Sequence, residues 1–305
     1  MLNVGTISDG QPGTEANIGR LSICIPTFDR YPFLQWTLAK TRADFPDAEI
    51  VVSDNCSTDA TQYIWSDDEK LKIIHQKTNI GPFANFRAAL LEGTGKYCTY
   101  LGDDDYLLAR KVHEGCEYME ANRSIVAYFA PCQLYNEVEQ KEDWNAFYVA
   151  SDETFKNPGS LWNFVIGNHV WPEHAIWRRE GLEDILKPRQ RAYWAFLDLA
   201  NAFAKGPVHF ASEPFYRNIT QHPVGFRQKL GDHQCLTDFD EYRAGLEILA
   251  FELFKDHLNP ELKQQINKGI QHFINQRIGV AHRLFPAYGL HEEAEACVKR
   301  LAICG

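Results

Sequence analysis

Short β-rich runs alternate with helical patterns through the first half of this chain, and that alternation restricts the fold more than any other feature. The apolar, β-rich runs lie at residues 21–26, 49–54, 71–75, 97–102 and 125–134. Helical spacing of apolar side chains occurs between them, at residues 31–42, 81–92 and 110–121. Strands that alternate with helices predict a Rossmann-like α/β fold, in which a mixed, mostly parallel sheet is flanked by helices.

The same patterns divide the chain into three parts. Residues 1–19 are polar and rich in glycine, which predicts a flexible lead-in. Residues 20–225 are expected to form one α/β domain, with a regular half at 20–135 and a less regular, aromatic-rich half at 136–225. From 226 to 305 apolar residues recur at helical spacing, which predicts a C-terminal helical extension.

Composition limits the partners and the location of the protein. The net charge of −10 argues against binding to nucleic acid, because phosphate backbones require a basic surface. No apolar run reaches the roughly 18 residues of a transmembrane helix, and the N-terminus lacks the pattern of a secretory signal. Eight cysteines include no CxxC pair, which fits a reducing compartment. We therefore expect a cytoplasmic protein, at most peripheral to the inner face of a membrane.

Three consecutive aspartates, Asp103, Asp104 and Asp105, follow directly after the apolar run at 97–102. Pro26-Thr27 and Asp54-Asn55 also follow predicted strands. In a mostly parallel sheet the carboxyl ends of the strands meet at one edge, where ligands bind. Carboxylates there suit Mg²⁺ or Mn²⁺, and such a cation suits a diphosphate. The alternative is an acidic turn that is simply solvated.

Four sequence blocks carry a family resemblance: SICIPTFDR, EIVVSDNCSTD, NIGPFANFRAAL and GKYCTYLGDDD. In this order and at this spacing they resemble glycosyltransferase family 2, whose members have the GT-A fold. The resemblance is strong over residues 20–135 and weaker over 168–225. Within the family, the third and fourth blocks are most similar to bacterial enzymes of the abequosyltransferase type, which decorate surface polysaccharides.

The resemblance implies a metal-dependent, inverting glycosyltransferase. Such an enzyme moves a sugar from a nucleotide diphosphate donor, here expected to be a UDP-sugar, to an acceptor hydroxyl. The acceptor would be a glycan, a lipid-linked molecule or a small molecule. The first half of the domain would bind the nucleotide and the second half the acceptor. A lipid-linked acceptor would be reached from the membrane surface, through the C-terminal helices.

The resemblance also assigns residues to the nucleotide. Pro26, Thr27 and Asp29 match the loop after the first strand, beside the nucleoside. Asp54 matches the acid that hydrogen-bonds the base, and a carboxylate is apt because uracil N3–H is a donor. Asn79 matches the third block.

The acidic block and a later segment carry the implied metal site. The family's D-x-D motif corresponds to Asp103, assigned to the ribose, and Asp105, assigned to the divalent metal, with Asp104 in support of either. The segment YRNITQHP resembles a family motif whose histidine is here His222, a candidate second ligand to the metal or the diphosphate. An imidazole favours Mn²⁺ over Mg²⁺.

The chain departs from the family where the general base is expected. An acidic pair usually opens a helix after the acceptor-side strand, but this stretch reads Gln190-Arg191-Ala192-Tyr193-Trp194. The nearest acids are Asp198, slightly favoured because it lies on that helix, and Glu173; His174 is a third candidate. The missing acid also leaves open a nucleotide-sugar-binding protein without transfer activity. A nucleotidyltransferase fits less well, because the loop after the first strand has no glycine to hold a triphosphate.

Overall fold

Two mixed sheets form the centre of the protein. The computed structural model describes residues 21–187, 192–225 and 238–304, so the predicted lead-in at 1–19 lies outside it. The strands are β1 Leu21–Thr27, β2 Glu49–Asp54, β3 Leu71–His75, β4 Tyr97–Tyr100, β5 Tyr106–Leu107, β6 Ala127–Phe129, β7 Cys132–Asn136, β8 Lys141–Asn145, β9 Glu153–Phe155, β10 Ala175–Arg178, β11 Val208–Phe210 and β12 Tyr216–Gln221.

α-Helices lie in five of the eleven connections between consecutive strands of the described ranges. The helices are α1 Tyr31–Asp44, α2 Pro82–Glu92, α3 Ala109–Ala121, α4 Pro158–Gly167, α5 Leu182–Ile185, α6 Trp194–Lys205, α7 Phe239–Phe254, α8 Pro260–Leu284 and α9 His291–Cys304, with 3₁₀ turns at Ala60–Tyr63 and Phe285–Tyr288. Proline stands in the first turn of α1, α2, α4 and α8, where its missing N–H costs no intrahelical bond. None of the helices in the described ranges is long and apolar enough to cross a bilayer.

The larger sheet has eight strands in the order β3-β2-β1-β4-β10-β6-β11-β9. Its first four strands are parallel, and β10 is antiparallel to both β4 and β6. The carboxyl ends of β1, β2 and β4 therefore meet at one edge, which we call the site edge. The smaller sheet, in the order β5-β12-β7-β8, adds β12 beside this edge. The predicted mixed, mostly parallel α/β architecture with helical flanks is confirmed.

Alternate residues of the central strands enter two apolar layers, one on each face of the sheet. Ile23 and Ile50 belong to the layer that also contains residues of α1 and α3, whereas Cys24 and Val51 belong to the layer with α2. Both faces are thus buried, as a parallel sheet requires.

One predicted strand is divided in the structure. The run at 125–134 forms β6 in the larger sheet and β7 in the smaller one, with Ala130 and Pro131 between them. Proline has no backbone N–H for a strand ladder, so pairing ends there and the chain can pass to the second sheet.

The C-terminal helices share the core of the α/β domain. Leu249, Phe273 and Phe285 lie in the same buried cluster as Phe196 and Trp177. Helix α7 packs on α6, and α8 packs on α7 and α4. The described part of region 226–305 is therefore integrated with the sheet through its apolar side chains.

Candidate functional site

Hydrogen bonds from the first βα unit hold the acidic segment Asp103–Asp105 at the site edge. The Thr27 hydroxyl, at the end of β1, donates to Asp103 Oδ2 at 2.7 Å. In α1, the Thr37 hydroxyl donates to the backbone carbonyls of Asp103 and Asp105, at 3.0 and 3.3 Å. All three aspartates are at most 8% exposed. The segment is thus a buried, fixed turn, which excludes the simple solvated turn.

Arg30 supplies positive charge to this segment. Its Nε lies 3.0 Å from Asp103 Oδ1, and its Nη2 hydrogen-bonds Asp104 Oδ2. Burial, followed by the charge of Asp104, raises the pKa of Asp103 to about 7, although Arg30 opposes the shift. Negative charge therefore remains in excess, and further positive charge at this point would be stabilising.

Strand β12 and Gly102 orient the carboxylate of Asp105. Its Oδ1 accepts a hydrogen bond from the Ile219 N–H at 2.8 Å. Its Oδ2 accepts from the Tyr216 hydroxyl at 2.8 Å and the Asn218 amide at 3.2 Å. At Gly102 a Cβ would lie 2.8 Å from Asp105 Oδ2 and 3.0 Å from the Tyr216 hydroxyl, so a larger residue would displace these two side chains.

His222 follows β12 and lies against α1. Its ring packs edge-on against Trp36 and Phe33, with centroids 4.5 and 4.9 Å apart, and its Nδ1 accepts from the Val224 N–H at 3.1 Å. Across the part of the chain that the structure describes, no three His, Cys, Asp or Glu side chains form a metal-ligand group.

Asp54 ends β2, whereas Asp29 and Asn79 lie in the turns that follow β1 and β3, and hydrogen bonds to neighbouring turns hold all three side chains. Asp54 is 1% exposed; its Oδ1 accepts from the Ser57 N–H at 3.0 Å and its Oδ2 lies 2.9 Å from His75 Nδ1. Asp29, in the left-handed region with φ 51°, accepts from the Thr58 N–H at 2.6 Å.

Asn79 Oδ1 accepts from the Asn55 amide at 3.0 Å and from the Gly81 N–H at 2.9 Å. Pro26 and Thr27 were expected in the loop after the first strand, but both lie within β1, because they continue its pairing with Ser53 and Asp54 of β2. The structure thus brings the residues that the resemblance assigns to the nucleotide to one edge of the sheet.

Glu173 precedes β10 in the chain, and its side chain lies beside the start of α6. Tyr193, the residue that precedes this helix, donates its hydroxyl to Glu173 Oε1. Burial raises the pKa of Glu173 to about 7, and the charge of Arg277 opposes the rise. Because the Glu173 side chain is still 31% exposed, it can meet a ligand.

Two stacked rings connect Glu173 with Asp105. His174 Nε2 lies 3.9 Å from Glu173 Oε2, and the His174 ring stacks on Tyr216 with centroids 3.8 Å apart. Burial lowers the pKa of His174 to about 3, so this imidazole is neutral at physiological pH. Tyr216 in turn donates to Asp105, so two side chains, those of His174 and Tyr216, lie between Glu173 and the acidic segment.

Asp198 has a different environment. It is fully buried, and Arg87 of α2 donates to its Oδ1 at 3.3 Å and to the Leu186 carbonyl at 3.0 Å. Asp198 Oδ2 has no hydrogen-bond partner among the described residues. Burial raises the pKa of Asp198 to about 7, against the effect of Arg87. The structure therefore separates the two acids that the sequence offered as bases: one is an internal ion pair and the other reaches solvent.

Sequence reasoning missed Arg30, Tyr193 and Arg277. Arg30 is the last residue of the first block, and a positive charge in a block next to a predicted acidic segment was a usable signal. Tyr193 lies in the stretch that was interpreted only as lacking an acid. Arg277 had no signal, because it lies in the region without a family resemblance. Residues 190 and 191 of that stretch are outside the described ranges.

Known proteins are similar to this chain in sequence. A model of the family described as glycosyl transferase family 2 matches residues 22–186. A GalNAc(5)-diNAcBac-PP-undecaprenol beta-1,3-glucosyltransferase of Campylobacter jejuni is 34% identical over 139 residues, 44% of each chain. An abequosyltransferase of Salmonella typhimurium is 37% identical over 95 residues, 28% of each chain. The chain thus spans less than half the length of these two curated relatives.

Solved structures are similar to it in fold. TarS of Staphylococcus aureus, in complex with UDP, gives a TM-score of 0.60 at 18% identity, covering 85% of this chain and 72% of that one. The mannosyltransferase PcManGT of Pyrobaculum calidifontis, in complex with GDP-Man and Mn²⁺, gives 0.52 at 15% identity, covering 93% and 80%.

Proposed function

Because the chain belongs to glycosyl transferase family 2, we propose that it is a glycosyltransferase. It would transfer a sugar from a UDP-sugar to an acceptor hydroxyl with inversion, assisted by a divalent cation. The family match favours glycosyl transfer over nucleotidyl transfer. Relatives named for a polyprenol-linked glycan and for abequose support a bacterial polysaccharide or glycoconjugate as the product. We propose that the reaction takes place in the cytoplasm, where a lipid-linked acceptor would be met at the membrane surface.

The contact path between Asp105 and Glu173 is the observation that carries this proposal. It runs through Tyr216 and His174 with steps of 2.8, 3.8 and 3.9 Å. A direct displacement needs the leaving diphosphate on one side of the anomeric carbon and a base at the acceptor hydroxyl on the other. The acidic segment could hold the diphosphate and Glu173 could act as the base, so these two neighbouring groups fit that requirement.

The donor is proposed to bind along the site edge. Solved neighbours carry UDP in one case and GDP-Man with Mn²⁺ in the other, which supports a nucleotide diphosphate donor. The residues proposed to hold the nucleotide are Pro26, Thr27, Asp29, Asp54, Asn79, Asp103 and Asp104. Their interlocked turns would present a pre-organised surface to the base and the ribose.

The acidic segment is suited to a divalent cation. Asp103 has a raised pKa beside Asp104 even with Arg30 present, so additional positive charge would be stabilised there. We propose that Asp105 holds Mn²⁺ or Mg²⁺, with His222 as a second ligand to the cation or the diphosphate. The bound cation would neutralise charge on the departing diphosphate.

Glu173 is proposed as the general base in preference to Asp198. A base must reach the acceptor proton, and Glu173 is partly exposed whereas Asp198 is not. Its pKa of about 7 is close to the pH at which a base is most effective. Glu173 also meets the start of α6 through Tyr193, the helix end where the family's acid is expected. This favours an active transferase over a binding protein without transfer activity.

The test is release of nucleotide diphosphate from a panel of UDP-sugars and GDP-mannose, with and without Mn²⁺. Asp105→Asn is expected to lose the Mn²⁺-dependent release. Glu173→Gln is expected to bind UDP like the unaltered protein but to transfer about 10²–10⁴-fold more slowly.

Asp67→Asn is the matched control, because Asp67 is exposed and lies at the edge of the sheet opposite the site edge. The neighbouring Asp68 marks this location, since it pairs with Arg42 in the last turn of α1. Circular dichroism would verify the fold of each variant. Full metal-dependent release by Asp105→Asn would remove that residue from the cation site. Stronger release from GDP-mannose than from the UDP-sugars would contradict the proposal of a UDP-sugar donor. Unchanged transfer by Glu173→Gln would show that Glu173 is not the base.

A further inference from the structure

Helix α8 brings a cation to the acceptor side of the site. The guanidinium carbon of Arg277 lies 5.0 Å from the ring centroid of Trp171 and 5.9 Å from that of Tyr242. An arginine over aromatic faces is held by cation–π attraction and keeps its charge at every physiological pH. Arg277 is therefore a fixed positive charge.

The aromatic group that holds Arg277 also positions Glu173. Trp171 and Glu173 form a tight turn, in which the Glu173 N–H donates to the Trp171 carbonyl at 2.9 Å. The Trp171 ring packs edge-on against Tyr193, at 5.7 Å, and Tyr193 packs against Tyr242, at 4.7 Å. Tyr193 then donates its hydroxyl to Glu173. Arg277 and Glu173 thus lie in one cluster of side chains from four parts of the chain.

The groups around Glu173 differ in charge. Burial keeps the His174 ring neutral. Burial also raises the pKa of the Tyr100 phenol, which interacts electrostatically with Glu173 among other carboxylates. Tyr193 contributes a neutral hydroxyl. Arg277 contributes the positive charge that opposes the effect of burial on the pKa of Glu173.

We propose that Arg277 is a positioning residue for the transfer reaction, in which α8 keeps the Glu173 carboxylate ionised and directed toward the acceptor. The C-terminal helical region would then be part of the catalytic unit as well as of the core. This inference rests on Glu173 being the base in the proposed function.

The experiment compares Arg277→Met, Arg277→Lys and a control, Arg243→Met. Arg243 lies on α7 and donates to Gln271 of α8 at 3.1 Å, so its loss removes a cation from the same helix pair. The carboxyl carbons of isotopically labelled glutamate would be titrated by NMR, and the signal absent from Glu173→Gln would identify Glu173. This measurement requires neither substrate nor metal.

Loss of the Arg277 charge should favour protonated Glu173. We expect its titration midpoint to rise by about one pH unit in Arg277→Met, to stay close to the original value in Arg277→Lys, and to be unchanged in Arg243→Met. Since a general base acts in its ionised form, the acidic limb of the pH profile of UDP release should move upward by the same amount.

An unmoved Glu173 midpoint in a folded Arg277→Met protein would overturn the inference and leave the proposed function intact. A melting temperature lowered by Arg277→Met with no change in midpoint would likewise assign Arg277 to stability alone. The assignment of Glu173 as the base is tested separately. If Glu173→Gln retains full transfer, Glu173 is not the base, regardless of the titration midpoint measured for Glu173 in the Arg277 variants.

Discussion

At the scale of single residues, two carboxyl groups with raised pKa values show how surroundings decide the role of a side chain. Glu173 and Asp198 both have a pKa raised to about 7 by burial. Glu173 is met by a tyrosine hydroxyl and keeps part of its surface open, whereas Asp198 is enclosed with Arg87. The same perturbed pKa therefore accompanies a candidate base in one case and an internal ion pair in the other.

Asp198 should make the stability of the protein depend on pH. Its pKa of about 7 in the folded protein exceeds the ordinary value of 3.8 for an aspartate, so folding takes up a proton between these two pH values. Its contribution to stability is then complete below the unfolded pKa and is lost as the pH rises through 7. Between about pH 5 and pH 8 we expect the unaltered protein to lose about 2–3 kcal/mol of unfolding free energy relative to Asp198→Asn.

Urea unfolding of both proteins at the two pH values measures this difference. Other titrating groups cancel in the comparison, because both proteins contain them. Transfer activity per folded molecule should be unchanged in Asp198→Asn, since the residue does not reach solvent. A difference that stays constant with pH, or grows in the opposite direction, would contradict the raised pKa.

At the scale of elements, a glycine sets how closely α7 approaches the start of α6. A Cβ on Gly245 would lie 3.0 Å from the Tyr193 carbonyl and 3.1 Å from Phe196. The carbonyl belongs to backbone that cannot move without shifting Tyr193, which holds Glu173. The spacing of these two helices is therefore linked to the proposed base.

Two glycine substitutions should have opposite effects on stability. Gly245→Ala is expected to lower the unfolding free energy by about 1–3 kcal/mol, because the added methyl overpacks the α6–α7 contact. At Gly279, in α8, an added Cβ meets nothing closer than the flexible end of an arginine side chain at 3.8 Å. Gly279→Ala should therefore raise the unfolding free energy by about 0.4–1 kcal/mol. Urea unfolding of both variants gives the comparison. A stabilising Gly245→Ala would show that α7 can move away from α6 at no cost.

At the scale of the whole molecule, one apolar cluster joins the sheet to the C-terminal helices. It contains Trp177 of β10 and Phe196 of α6 together with Leu249, Phe273 and Phe285 of the C-terminal region. Separating the two parts would expose these side chains to water, at roughly 25 cal/mol for each Å² of apolar surface.

We therefore expect the sheet and the C-terminal helices to unfold in one transition. All seven tryptophans lie between residues 36 and 194, so their fluorescence mainly reports the α/β domain, with Trp162 and Trp171 also in contact with the C-terminal helices. Far-UV circular dichroism reports α7–α9 directly. The two urea midpoints should coincide, as two-state unfolding requires. A helical signal lost at lower urea, before the fluorescence changes, would show that region 226–305 folds as a separate unit.

The sequence by itself determined the fold class and the family. Alternating strands and helices follow from local periodicity, and the four blocks follow from turn and strand-end residues that are close in the chain. For the same reason it located Thr27, Asp54 and Asp103 at one edge of the sheet. The division of the run at 125–134 between two sheets escaped this local information, as did β8, β9 and α4 in the half described only as less regular.

The tertiary structure alone decided which distant side chains meet. Asp198 was favoured as a base because it lies on the expected helix, yet its partner Arg87 comes from α2. Glu173 lies before β10 and meets the start of α6, and its cationic neighbour Arg277 comes from α8. Such pairings depend on how helices and sheets pack in three dimensions, and burial then sets the charge of each group. Neither property has a period or a motif that a single sequence displays.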